Sequence, residues 1–294
     1  MINYDPRTWL TAIVHAYSRS VMRTLLPVLI FMTIYTAILC YVLLVLRFHE
    51  RDFKTTISMH SLLGIVLGLF LVFRTNTAYE RWWEGRRMWG SLVNNTRNFA
   101  LKLNAFLESG DLETRQWFAK MIPYFVVAVK EHLRKGVNPS YWADIDPALY
   151  SDLEGVSHIP NRLSSLIYQR VNSLYKKNVI TGDQLLLLDR EMKEFSEILG
   201  ACERIKNTPI PYSYKMYFKQ FIFIYVITLP FAFVTTSGFL TIPIVLIITF
   251  VLLSIELIAE EIEDPFGKDM NDLPTDELSA KIRENVTEIL DIKA

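Results

Sequence analysis

The sequence predicts an all-α membrane protein with four transmembrane helices and a large helical cytoplasmic region. Three observations lead there. Residues 24–46 and 55–73 contain no Asp, Glu, Lys or Arg, and each run is close to the roughly 20 residues that a helix needs to cross a bilayer. Residues 220–255 form a third uncharged run of 36 residues, nearly twice the length of one span, so it must fold back on itself. The chain of 294 residues is 51% hydrophobic, with a mean hydropathy of +0.22. That is more apolar than is usual for a soluble chain of this length.

The elements follow in order. Tyr4 to Ser20 reads as an amphipathic helix with Trp9, Ile13 and Ala16/Tyr17 on one face. It suits either the membrane surface or a packed position. The first span covers about 24–46, with Pro27 near its start, where a missing N–H costs least. Arg47, Glu50, Arg51, Asp52 and Lys54 mark a short polar link to the second span at 55–73. The third and fourth spans cover about 217–235 and 239–257, and turn near Thr235-Thr236-Ser237-Gly238. Residues 74–216 and 258–294 are polar enough to lie outside the bilayer. Four spans place both termini and this polar region on one face. Arg74, Arg81, Arg86, Arg87, Lys215 and Lys219 flank the membrane there, which makes that face cytoplasmic by the excess of cations.

The polar region reads as helical over 78–107, 112–134, 164–175 and 181–204. Thr181 and Gln184 have capping-box spacing, and Pro209 and Pro211 stop that helix. A last amphipathic helix begins at Thr275, with Leu278, Ile282, Val286 and Ile289 on one face. Strand signals and internal repeats are absent from the pattern.

Composition narrows the function. Lys+Arg and Asp+Glu both total 31, so no basic excess points to nucleic acid. The two cysteines, Cys40 and Cys202, do not make a disulfide scaffold. No cleavable signal peptide is expected at the N-terminus. Nucleophile elbows, phosphate-binding glycine loops and paired metal-ligand motifs are missing, and the histidines at 15, 49, 60, 132 and 158 are scattered. A membrane-anchored enzyme or a small transporter remains as an alternative to a channel, although transporters usually carry more spans and internal repeats.

Three features carry candidate chemistry. Ile65, Leu69 and Phe73 recur every four residues on one face of the second span, beside Gly64 and Gly68. Such a face can line a narrow, dewettable pore or simply meet lipid or neighbouring helices. Phe73-Arg74-Thr75-Asn76-Thr77-Ala78-Tyr79-Glu80-Arg81-Trp82-Trp83 places aromatics and arginines where a membrane boundary favours them. Glu256, Glu260, Glu261, Glu263 and Asp264 crowd the C-terminal end of the fourth span, against the helix dipole. Ion pairing with Arg74, Arg81, Arg86 or Arg87 is the expected compensation. A di-metal carboxylate site lacks its Glu-x-x-His motif.

FRTNTAYERWWEGR after the second span, GACERIKNTPIPYSY before the third and ELIAEEIEDPFGKDMNDLP after the fourth together resemble the bestrophin family in its bacterial form. The resemblance runs from Gly64 to Pro274. It implies a homopentamer of identical subunits around one central pore, in the bacterial inner (plasma) membrane, conducting small monovalent ions passively. Chloride and other anions are the family's usual cargo, and some bacterial members pass cations such as sodium. It also implies that Ile65, Leu69 and Phe73 form a hydrophobic neck, and that a second restriction at the cytoplasmic mouth falls near Asp183. A ring of aspartates there favours cations, although an acid in a first helical turn also suits the dipole. Animal members hold calcium after the last span. Here Asp269 and Asp272 keep the acidic positions, while Lys268, Met270 and Asn271 depart from the pattern, so no cofactor is expected.

Overall fold

The computed structural model describes residues 16–46, 56–137 and 147–290. The expected surface helix at 4–20 falls outside these up to residue 15, as does the link at 47–54. Nine α-helices follow in order among the described residues: α1 (Ala16–Cys40, continued by a π-helical turn at Tyr41–Val45), α2 (Thr56–Phe106), α3 (Leu112–Arg134), α4 (Pro147–Leu153), α5 (Ile159–Lys176), α6 (Gly182–Asn207), α7 (Tyr212–Ser237), α8 (Thr241–Glu263) and α9 (Thr275–Ile289). No strand occurs among the described residues. Three helical stretches, Val21–Val45, Ile57–Phe106 and Tyr212–Glu263, are long and apolar enough to cross a membrane. The last is α7 and α8 joined by a 3-10 turn, Gly238–Leu240. Gly238 sits there with φ +54°, a conformation that glycine adopts without a side-chain clash.

The chain divides into two compact units. One comprises Met1–Arg81, Pro209–Glu263 and Asp269–Asn271; the other comprises Trp82–Thr208, Asp264–Lys268 and Asp272–Ala294.

In the first unit, α1 packs along α8, and α7 packs against both. Leu67 and Leu71 of α2 join Met32, Ile222, Leu229 and Val245 in one apolar core. Gly64 lets the Tyr225 ring approach, since a Cβ there would lie 2.9 Å from its hydroxyl, whereas Gly68 faces open space. Nearby, His60 Nε2 pairs with Thr228 Oγ1 at 2.9 Å.

The second unit is built on aromatic packing. Phe99 of α2 meets Phe118 of α3 and Phe195 of α6 edge-on, with centroids 6.0 and 5.4 Å apart, the geometry that aromatic quadrupoles prefer. Phe125 lies 5.3 Å from Phe195. Around them α3 packs against α5, α6 and α9. Beside this core, burial pushes the Cys202 thiol up to about 12, with help from the Glu203 and Glu84 carboxylates.

Local signals explain most boundaries. Asp111 accepts the Thr114 amide at 3.1 Å and caps α3. Both halves of the Thr181/Gln184 capping box form at the start of α6. The first span starts earlier than expected, at Ala16, the third starts at Tyr212, α6 runs on to Asn207, and α4 was not expected; two further differences have a clear local cause. The span ending at 73 and the helix expected from 78 are one continuous helix, α2. No proline interrupts it, and its polar Thr75 and Thr77 donate to the carbonyls of Leu71 and Phe73, both at 2.9 Å. Hydroxyls bonded back to the preceding turn keep these residues helical. Helix α5 starts at Ile159 rather than near 164, because the ring of His158 caps it by accepting the Asn161 amide at 3.2 Å. Histidine is outside the usual N-cap set.

Helix α9 is tied to α3 by Asp276, whose Oδ2 accepts from Arg134 Nη2 and Oδ1 from Lys130 Nζ, both at 2.7 Å. The Arg134 hydrogen bond, aided by Lys130 and opposed by partial burial, holds the Asp276 carboxyl well below the usual range. A depressed folded-state value stabilises the protein above the unfolded-state value, and this is lost as pH falls through the folded value. Asp276→Asn is therefore expected to lower thermal stability at pH 7 by no more than ~1 kcal/mol, because the Asp276 carboxylate itself is mostly exposed. The difference from wild type should shrink as pH drops below ~4. A deeper effect is expected from Phe99→Ala, which empties a fully buried site and should cost about 3–5 kcal/mol in denaturation of the purified protein.

Candidate functional site

Helix α2 carries two opposed faces within the first unit. Leu67, Leu71, Arg74 and Ala78 are spaced by four, three and four residues and are all buried. They share one stripe by helical periodicity. On other faces, Ile65, Leu69 and Phe73 are 71%, 57% and 54% exposed. Fully or half-exposed aromatic and aliphatic side chains aligned over two turns form a patch that water does not favour.

The buried stripe contains a charge. Arg74 has no solvent exposure, so it requires compensation by an anion. Its Nη2 donates to Glu263 Oε2 at 3.0 Å, and its Nε lies 3.4 Å from Glu256 Oε2. Glu256 and Glu263 are seven residues apart, two turns of α8, so both carboxylates project from one face. Glu263 is 2% exposed and is the centre of the cluster. Its Oε1 lies 2.8 Å from Lys215 Nζ and accepts the Ile210 amide at 3.3 Å. Its carbonyl oxygen accepts from Arg81 Nε at 3.1 Å.

The other acids expected in an arginine network pair elsewhere. Glu260, exposed at the rim, lies 2.6 Å from Lys219 Nζ. Glu261 accepts from Asn271 Nδ2 at 2.8 Å. In the second unit Asp264 lies 2.6 Å from Lys206 Nζ, and Glu84 pairs with Arg204 at 2.9 Å. Lysines at 206, 215 and 219 thus take roles that the sequence reading assigned to arginines. Glu263 was the least distinguished of five clustered acids in the sequence. Its seven-residue spacing from Glu256 was the one signal that could have singled it out.

Asp183 is exposed in the first turn of α6. The next exposed residues on that helix are Leu186 and Leu187, at 69% and 49%. In the segment after α8, Asp269 and Lys268 are exposed and Asp272 is buried. Gly267 makes room for the Asp272 carboxylate, which would lie 2.5 Å from a Cβ at that position. Calcium takes six to eight oxygens and is opposed by a neighbouring cation. With two acids among Lys268, Met270 and Asn271, the donor set of this segment does not fit that ion.

Removing Arg74 leaves the buried Glu256 without its ion-pair partner and takes one of two cations from Glu263. Arg74→Met is expected to cost ~3–5 kcal/mol, read as a large fall in melting temperature on size-exclusion chromatography of heated samples. Arg74→Lys should not restore it, because an ammonium lacks the planar fork that reaches both acids. Glu256→Gln should be milder, since Glu263 keeps its arginine. Equal stability of Arg74→Met and wild type would remove the cluster from its structural role.

A family model described as Bacterial/Fungal Bestrophin protein matches residues 1–288. The voltage-dependent anion channel-forming protein sll1024 of Synechocystis is 38% identical over 233 residues, covering 78% of this chain and 76% of that one. The voltage-dependent anion channel-forming protein YneE of Escherichia coli is 31% identical over 241 residues, covering 81% and 78%. Among solved structures, a mutant of a bacterial bestrophin homologue from Klebsiella pneumoniae superposes with a TM-score of 0.83 at 25% identity, over 91% of this chain and 99% of that one.

Proposed function

This chain belongs to the bacterial and fungal bestrophin family, and we propose that it is the subunit of a homopentameric anion channel whose pore is lined by α2. The observation that carries this reading is the exposed row of Ile65, Leu69 and Phe73, opposite a buried stripe anchored by Arg74. Five such rows around an axis would make a hydrophobic neck. A narrow apolar ring sheds water and blocks ions, and a slight widening wets it and lets them pass. Chloride is the ion we assign to this path, in keeping with the anion channel-forming relatives named above. Membership of a channel family sets aside the enzyme reading.

In this arrangement four spans cross the bacterial inner membrane: α1 with its π-helical turn, the first part of α2, α7 and α8. Both termini and the second unit are cytoplasmic. The chain's partners are identical subunits, lipid and the permeant ion. At the cytoplasmic mouth α6 presents two candidate rings. A ring of Asp183 would repel anions and favour sodium, whereas a ring of Leu186 or Leu187 would narrow the path without selecting by charge. The exposure of Asp183 gives the cation reading one specific observation in its favour.

Reversal potential in planar bilayers under a NaCl gradient separates these readings. Reversal near the chloride potential is the expected result. Reversal near the sodium potential would overturn the anion assignment and make Asp183→Asn the next variant to record. Leu69→Ala should raise the current several-fold by widening the driest part of the neck, and unchanged conductance would remove Leu69 from the pore.

A further inference from the structure

Three polar side chains of the second unit meet where α3, α5 and α6 pack together. His132 comes from the last turn of α3, His158 is the N-cap of α5 and Glu203 lies near the end of α6. Both imidazole Nε2 atoms lie 2.8 Å from the same oxygen, Glu203 Oε1. The two rings are 4.6 Å apart, and the three donor atoms fall within 4.8 Å of one another. Each side chain keeps between a quarter and a third of its surface open.

We propose that His132, His158 and Glu203 form a divalent transition-metal site of the kind that takes zinc. Two imidazoles and one carboxylate are a recurring zinc donor set, completed by water at a fourth, open position. The partial exposure of all three side chains leaves that position reachable. Zinc bonds of about 2.0–2.2 Å in a tetrahedron set ligand atoms roughly 3.3 Å apart. Each nitrogen therefore needs to move about half an ångström away from the carboxylate oxygen, now at 2.8 Å, within the reach of side-chain rotation. Nitrogen and single-carboxylate ligation suits zinc over calcium or magnesium, which take oxygen.

Ligation has one local consequence. The Nδ1 of His158 now accepts the Asn161 amide, so the neutral ring carries its proton on Nε2. Metal on Nε2 moves that proton to Nδ1 and gives up the cap, a long hydrogen bond at 3.2 Å. In exchange the ion cross-links three helices that are remote in sequence, and bound metal stabilises the folded unit by mass action. The site is independent of ion conduction, so it stands or falls apart from the channel assignment.

The test uses the full-length protein, purified in detergent, stripped with chelator and titrated with ZnCl2 by calorimetry. Binding of one zinc per chain with a rise in melting temperature is expected. His158→Asn keeps an acceptor suited to an N-cap while removing the ligand, and His132→Gln and Glu203→Gln remove the other two. Each should weaken binding by more than ~100-fold, beyond the loss from a merely supporting partner. Melting of the metal-free variants near the wild-type temperature identifies the loss as ligation rather than misfolding. His158→Asn settles the matter if Glu203→Gln is unstable. Absence of zinc binding by the wild type would overturn the site. So would binding that survives all three substitutions, and the three residues would then be a hydrogen-bonded clamp.

Discussion

Arg74 is a full positive charge placed where α2 turns its apolar stripe inward. A guanidinium with no exposure is tolerable only if anions meet it, and α8 supplies them two turns apart as Glu256 and Glu263. From this single requirement much of the first unit follows. Glu263 must itself be shielded, so Lys215, the Ile210 amide and Arg81 converge on it. The stretch between α6 and α7 is thereby pinned beside the end of α8. Rotating α2 by one residue would move Arg74 towards lipid and lose these contacts. The pair thus fixes which face of α2 is buried and, with it, which face carries Ile65, Leu69 and Phe73. A buried ion pair is weak evidence for net stability, and in some proteins its role is to fix register.

Much of this was legible beforehand. The uncharged runs at 24–46, 55–73 and 220–255 correspond to the apolar parts of α1, α2 and the α7–α8 hairpin, because length and absence of charge are read directly from sequence. The bounds of α3 were legible from its helical pattern, and the start of α6 from its capping box. The continuity of α2 through residues 73–78 was not. A change from apolar to polar residues looks like an end, yet nothing in Arg74-Thr75-Asn76-Thr77 breaks a helix once the threonine hydroxyls bond backwards. The start of α5 was hidden by a histidine acting as cap, a role rare enough to leave no pattern.

The candidate site divides in the same way. Four-residue spacing places Ile65, Leu69 and Phe73 on one face without any structure, and their exposure follows once the opposite face is known to be buried. Charge pairing is another matter. Five acids within nine residues of α8 and its end, and six cations flanking the spans on that face, admit many pairings. The helix azimuth decides among them: inward for Glu256 and Glu263, outward for Glu260. That azimuth depends on packing against α1 and α7, which sequence alone does not specify. The meeting of His132, His158 and Glu203 was likewise invisible, because their separations of 26 and 45 residues carry no local period.

On the proposed reading, the exposed face of α2 borders water in an ion path rather than lipid. Cysteine substitution tests it most directly, since Cys40 and Cys202 are both buried. Leu69→Cys channels in a planar bilayer would be exposed to a charged, water-soluble thiol reagent, with Ile247→Cys on the exposed surface of α8 as comparison. Current is expected to fall irreversibly at position 69 and to be unaffected at 247. Modification that leaves the Leu69→Cys current intact, or that acts equally at both positions, would contradict it.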